Sequence, residues 1–184
     1  MISTARLRLR PWQDADLPSF AALNADPRVM EHFPQTLDRG ESDAMAGRIR
    51  RRIEENGYGL WAVEVVGVNP FIGYVGLTGA GFEAHFTPCT EMAWRLAYEH
   101  WGRGYASEAA AAALTFGFER LDLPEIVAFT THANHRSRRV MERLGMVRNP
   151  ADDFDRSNLP EGSPHRPHVL YRLRKADWER ARTR

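Results

Sequence analysis

Six residues near the middle of the chain, Trp101-Gly102-Arg103-Gly104-Tyr105-Ala106, have the types and spacing that hold an anion. Two glycines allow a tight turn with no side chain in the path of an approaching group. An alanine-rich run follows. A helix starting there would aim its unpaired N–H groups and the positive end of its dipole into the same space. That combination suits a phosphate above all, and Arg103 adds a charged donor within the turn. Two familiar phosphate motifs do not fit the spelling. A P-loop needs Lys-Ser or Lys-Thr after its second glycine, where this chain has Tyr105-Ala106. A dinucleotide turn needs a third glycine and a place after the first strand, and neither is present.

Other reactive side chains are sparse. Cys89 is the only cysteine, which excludes an intrachain disulfide and a cysteine-rich metal cluster. No partner base for it is identifiable, so an inert or buried thiol is expected. The seven histidines include His132 and His135. A zinc site needs three or four convergent ligands, and none is evident, so no metal is expected.

The elements that must position these residues follow from periodicity. Arg6 to Arg10 alternates polar and apolar, as a half-buried strand does, and Pro11 ends it. Asp14 is placed to cap a short helix carrying Leu17, Phe20 and Leu23, which Asn24 to Pro27 breaks. The spacing of Met45, Ile49 and Ile53 predicts a helix over 38–56 stopped by Gly57, with Arg48 and Arg50 to Arg52 as a solvated face. Strands are expected over 59–66 and 71–77, joined by a hairpin turn, and over 90–97. A long helix should occupy 105–120, a strand 125–131, a helix 137–144 closed by Gly145, and a last strand 168–173. Residues 149–167 are rich in Pro, Asp and Ser, long for a loop in one domain, and so a candidate functional loop. The order of elements gives one α/β domain with a mixed sheet.

Composition sets outer bounds. The chain has 184 residues, 25 Lys and Arg against 24 Asp and Glu, and 43% hydrophobic residues. That is enough apolar mass for a core and excludes a mainly disordered chain. No apolar run approaches the roughly 20 residues of a membrane helix, and Met1 to Arg6 lacks the apolar core of a signal peptide. A soluble cytoplasmic protein without a membrane partner is expected. The formal charge of +1 argues against general nucleic-acid binding. Lys175 is the only lysine. Codon bias accounts for most of that arginine surplus, with Arg103 the member given a specific position.

Trp101 to Ala106 resembles the pyrophosphate loop of the GNAT acyl-CoA-dependent N-acetyltransferases, Gln/Arg-x-x-Gly-x-Gly/Ala. Trp101 stands where Gln or Arg is usual, a departure often seen in the RimJ/RimL-like branch. Asn134 to Met146 is similar to the family's Asn-x-x-Ser/Ala helix ending in Gly-Phe or Gly-Met. Ala5 to Trp12 is also typical of the branch, so the likeness covers essentially the whole chain.

The resemblance implies a GNAT-like fold, α/β (α+β): a mixed, mostly antiparallel central sheet with helices on both faces and splayed central strands. Residues 1–184 would form a single acyl-CoA N-acyltransferase domain. It implies acetyl-CoA as cosubstrate, with pyrophosphate on the N–H groups from Gly102 through Arg103, Gly104 and Tyr105 to Ala106, beside Trp101. The pantetheine arm would lie between the strands at 91–97 and 125–131, bonded to Asn134. A backbone N–H near Leu96 would polarise the thioester carbonyl. The acceptor would be a primary amine, a small molecule or a protein N-terminus, attacking directly in a ternary complex. Much of the family protonates the leaving thiolate with a tyrosine seven residues after the Asn, here Met141. Ser137, one turn earlier, is therefore the expected acid or thiolate-stabilising group and a contact for the cosubstrate, with helix capping as its structural alternative. Glu91 is the expected base, acting through water; Glu83 and His85 are weaker candidates. Asp152, Asp153, Asp155 and Glu161 could form an acidic rim that attracts a protonated amine. The missing tyrosine also supports an alternative: a catalytically weak or inactive acyl-CoA-binding module serving as sensor or subunit. Self-association as a homodimer and the identity of the amine stay open.

Overall fold

The computed structural model describes residues 1–183. In chain order its elements are β1 (Ile2–Ser3), β2 (Leu7–Arg10), α1 (Leu17–Ala25), α2 (Arg39–Asn56), β3 (Leu60–Val65), β4 (Asn69–Gly79) and β5 (Thr90–Leu96). They continue with α3 (Tyr105–Glu119), β6 (Glu125–Thr131), α4 (His135–Arg143), β7 (Val147–Arg148), β8 (Phe154–Asp155), β9 (Pro167–Arg174) and α5 (Lys175–Arg182). The strands follow the order β1-β2-β3-β4-β5-β6-β9-β7, with β8 also on β9, and the sheet is open at both ends. The registered pairs are antiparallel except β5 with β6, which run parallel and share one register position, Glu91↔Val127. This is the mixed, mostly antiparallel α/β architecture that the sequence predicts. Residues group into two compact units, Met1–Leu77 with Ala93–Ala113, and Thr78–Met92 with Leu114–Arg184.

In the first unit, Leu7 and Leu9 of β2 are fully buried, as their alternation requires. Helix α2 starts where Asp38 accepts a hydrogen bond from Glu41 N–H at 2.8 Å while Glu41 accepts from Asp38 N–H at 2.9 Å. It stops at Gly57 in the left-handed region. The core gathers Trp12, Phe20, Leu23, Ala46, Ile49, Phe71 and Tyr74, with Trp12 edge-on to Phe20 at 4.8 Å. The start of α1 differs from expectation. Asp14 opens a three-residue 3-10 turn, and α1 begins at Leu17. Asp16, 2% exposed, takes the structural role instead by pairing with Arg10 of β2. Gly73 at φ 134° permits a close approach of two strands: a Cβ there would lie 2.1 Å from the Arg95 carbonyl oxygen and 2.8 Å from Leu96 Cα. Only glycine lets β4 come so near the end of β5.

In the second unit, every residue of β6 pairs with β9, from Glu125↔Arg174 to Thr131↔His168. Helix α4 begins two residues earlier than predicted because Asn134 caps it. Helix α5 has no strong sequence signal; it lays Trp178 against Phe118 with centroids 5.1 Å apart and pairs Arg182 with Glu119 at 2.5 Å. Residues 149–167 contain a 3-10 turn at Pro150–Asp152 and the short β8. Phe82, Phe86, Phe129 and Phe154 pack together, with centroid separations from 4.8 to 6.3 Å. These rings tie the loop before β5 to β6 and to β8, the short strand ahead of β9, within this unit.

Candidate active site

The residues singled out in the sequence divide between the units. Leu96 and Trp101 to Ala106 lie in the first; Glu91, Asn134 and Ser137 lie in the second.

The glycine turn has the shape an anion requires. Gly102 and Gly104 take φ of 75° and 80°, and α3 starts at Tyr105. Among the described residues, no hydrogen bond leaves the backbone N–H groups from Gly102 to Ala106. A Cβ on Gly102 would meet nothing within 4 Å, and one on Gly104 would meet only Arg6 Nη2 at 3.5 Å. Five unpaired donors at an open turn leading into a helix can serve a diphosphate. Trp101 holds this turn to the strand before it, its indole N–H donating to the Leu96 carbonyl at 2.8 Å. A bulky donor at this position thus fixes the loop from beneath. Arg103 is exposed, and its carbonyl accepts from Arg6 Nη1 at 3.1 Å.

Arg6 is the part of this arrangement that sequence reading missed. Its Nε and Nη2 reach Glu108 of α3 at 2.7 and 2.6 Å, and its own N–H reaches the same carboxylate at 3.1 Å. Thr4 Oγ1 donates to Glu108 at 2.5 Å, and the Arg6 guanidinium lies 4.8 Å from the Tyr105 ring centroid. The chain's start therefore clips the first turn of α3 and the back of the glycine loop. Partial burial raises the cost of the Glu108 charge, yet the hydrogen bonds from Thr4 and Arg6 outweigh it and hold the carboxyl below its ordinary value. A carboxyl so depressed stabilises the folded clip above its unfolded pKa, and that contribution is lost as pH falls through the folded value. CoA affinity of the wild type is expected to stay level on mild acidification and to drop below the ordinary glutamate range. Glu108→Gln should be weaker at neutral pH by about three- to tenfold, an expectation from one charge-assisted contact. Its ratio to wild type should close as pH falls. A constant ratio in calorimetric titrations with CoA would separate the clip from the loop.

In the second unit, Asn134 accepts from Ser137 N–H at 3.1 Å and donates through Nδ2 to Thr130 Oγ1 at 2.9 Å. Asn134, not Ser137, is thus the side chain that caps α4. Met141, one turn on, is 2% exposed and carries no proton to give. Glu91 is half-buried on β5, opposite Val127 of β6. Its charge acts on Arg156, which lies over the Phe82 ring at 5.1 Å; burial, the larger effect, lowers that guanidinium's pKa. Burial likewise pushes the Cys89 thiol up, which disfavours the thiolate a nucleophile needs. Glu83 and His85 are exposed, and the Glu83 carbonyl accepts from Ser157 Oγ at 2.8 Å. The acidic rim is largely spent on arginine: Asp152 pairs with Arg172 at 2.9 Å, Asp155 with Arg166 at 3.5 Å, and Asp153 with Arg148. Among the described residues, no group of three or more His, Cys, Asp or Glu side chains could hold a metal ion. No helix there is long and apolar enough to cross a membrane.

Residues 6–147 match the family described as Acetyltransferase (GNAT) domain. The chain belongs to the GNAT acetyltransferase family. The Bacillus subtilis protein YkkB is 32% identical over 144 residues, covering 78% of this chain and 83% of that protein. The Aspergillus fumigatus FsC-acetyl coenzyme A-N(2)-transacetylase is 27% identical over 186 residues, with 97% and 78% covered. Among solved structures, an acetyltransferase from Agrobacterium tumefaciens superposes with a TM-score of 0.75 at 29% identity, with 94% and 92% covered.

Proposed function

We propose that this chain is an N-acetyltransferase of the RimJ/RimL-like branch, acting as one acyl-CoA N-acyltransferase domain over 1–184. It moves the acetyl group of acetyl-CoA to a primary amine by direct attack in a ternary complex. The observation that carries this reading is the row of unpaired N–H groups from Gly102 to Ala106 at the start of α3, a cradle for the diphosphate of CoA. The likeness to a transacetylase whose name includes acetyl coenzyme A supports the cosubstrate.

In this reading the amine nitrogen attacks the thioester carbon. A tetrahedral intermediate forms, and its oxyanion takes a hydrogen bond from the Leu96 N–H. The C–S bond then breaks. Ser137 gives a proton to the departing thiolate, and Glu91 takes the amine's proton through water. Asn134 holds the pantetheine arm while it fixes the start of α4. A second reading, an acyl-CoA-binding sensor or subunit without turnover, is favoured by one observation: apolar, buried Met141 stands where much of the family has its tyrosine.

Thiol release and intact mass with acetyl-CoA and a panel of small amines and N-terminal peptides separate the two. Acetylated product with stoichiometric free thiol is expected. Tight CoA binding without release from any amine would favour the sensor. With a working acceptor, Ser137→Ala should lower kcat on the order of 100-fold while leaving acetyl-CoA binding near wild type. An unchanged kcat would remove Ser137 from the acid's role.

A further inference from the structure

Two arginines of the first unit are buried to nearly the same depth and are treated in opposite ways. Arg10, 5% exposed, has the two oxygens of Asp16 at 2.7 and 2.9 Å, Glu64 at 3.3 Å and the Pro70 carbonyl at 2.6 Å. Arg95 of β5, 7% exposed, forms no ion pair with a carboxylate among the described residues. Its Nη1 donates to the Asn24 Oδ1 at 2.6 Å and lies 4.0 Å from Met45 Sδ. Asn24 is neutral, wholly buried and engaged through Nδ2 with Ser42 at 2.9 Å. The Arg95 guanidinium carbon sits 4.0 Å from the Phe33 ring centroid and 5.6 Å from that of Tyr74, and its Nε is buried without an acceptor. Arginine cannot relieve such a position by losing its proton. Ring faces return only part of what a buried cation loses in water. The Nε–Nη2 edge, which a carboxylate grips with two parallel bonds, is the one left without a protein partner. Phe33, which lies over it, belongs to the irregular stretch between α1 and α2, so no helix turn or strand ladder need break for its ring to swing aside.

We propose that Arg95 binds a carboxylate of the acceptor, so that the amine substrate is an amino-carboxylate and not a polycation. This rests on the acetyl-transfer reading above. The carboxylate could be that of a free amino acid or a side chain near a peptide N-terminus; both present the same group to the same edge. A polyamine would set positive charge against a buried cation and is selected against.

The test uses the full chain saturated with acetyl-CoA, or with CoA for binding, and offers each amine as a matched pair. Free amino acids are compared with their carboxamides, and peptides with Glu or Asp near the N-terminus with the Gln or Asn forms. The carboxylate member is expected to win in kcat/KM by about tenfold or more, mainly through KM. Which set shows the preference identifies its source. Arg95→Met should collapse the ratio toward one. Arg95→Lys, which keeps the charge without the fork, should leave an intermediate ratio and serves if the Met variant does not fold. Calorimetry with the same pairs on the CoA-saturated protein keeps the two readings distinct. Carboxylate-selective, Arg95-dependent binding without turnover would uphold this proposal and overturn acetyl transfer. Turnover that ignores the carboxylate, a ratio unchanged in both Arg95 variants, or no binding by either member would overturn this proposal.

Discussion

Gly104→Glu is expected to abolish useful CoA binding, raising Kd roughly 30- to 150-fold, which corresponds to about 2–3 kcal/mol. Two costs add. Gly104 holds φ at 80°, where an L side chain costs about 1–2 kcal/mol. The new carboxylate would then stand beside the unbonded N–H groups from Gly102 to Ala106, and in the proposed site it would occupy those donors and repel the diphosphate. It would also lie near Arg6, whose Nη2 is 3.5 Å from the added Cβ, and would draw that guanidinium away from Glu108. Gly104→Ala isolates the backbone cost and should weaken binding by about tenfold. Calorimetric titration of both variants with CoA decides. An unchanged affinity in Gly104→Glu would place the diphosphate somewhere else.

The largest loss of stability is expected from Asp16→Asn. Asp16 and Arg10 have side chains 2% and 6% exposed and share two parallel hydrogen bonds. Asp16 also accepts from Gln13 N–H at 2.8 Å, so one carboxylate fixes both the end of β2 and the turn into α1. Neutralising it leaves a buried guanidinium with Glu64 as its remaining anion, at 3.3 Å. Breaking one side of a buried pair costs about 3–5 kcal/mol. The melting temperature should therefore fall by roughly 6–20 °C. Chemical denaturation of the variant beside wild type gives the number, and a loss under about 1 kcal/mol would show that Glu64 alone suffices. Asp14, two residues earlier, is the contrast: it meets Arg50 at 2.8 Å but is 91% exposed, and its removal should change little.

That contrast marks the limit of the sequence. Features written within one turn or strand were legible. Asp38 and Gly57 delimit α2, alternation marks β2, and two glycines before an alanine run mark the turn into α3. At the start of α1 local rules pointed to Asp14, because the pairing of Asp16 with Arg10, six residues back at the end of β2, follows no local pattern. Gly73 is equally silent: its need for glycine comes from the backbone of Arg95 and Leu96, more than twenty residues on. Arg95 looks in sequence like any member of an arginine-rich chain; its lack of a counter-charge appears only once Asn24, Phe33 and Tyr74 surround it. Helix α5 escaped because its few apolar residues form no stripe, and Trp178 finds Phe118 far along the chain.

The clip between Arg6 and Glu108 also has a history in time. Its two halves are 102 positions apart. A ribosome adding about 5–20 residues per second takes about 5–20 s to travel that distance. Throughout that interval Thr4 and Arg6 lack their Glu108 partner. The clipped glycine turn is therefore completed late in synthesis, only after the beginning of α3 has emerged and Thr4 and Arg6 have met Glu108.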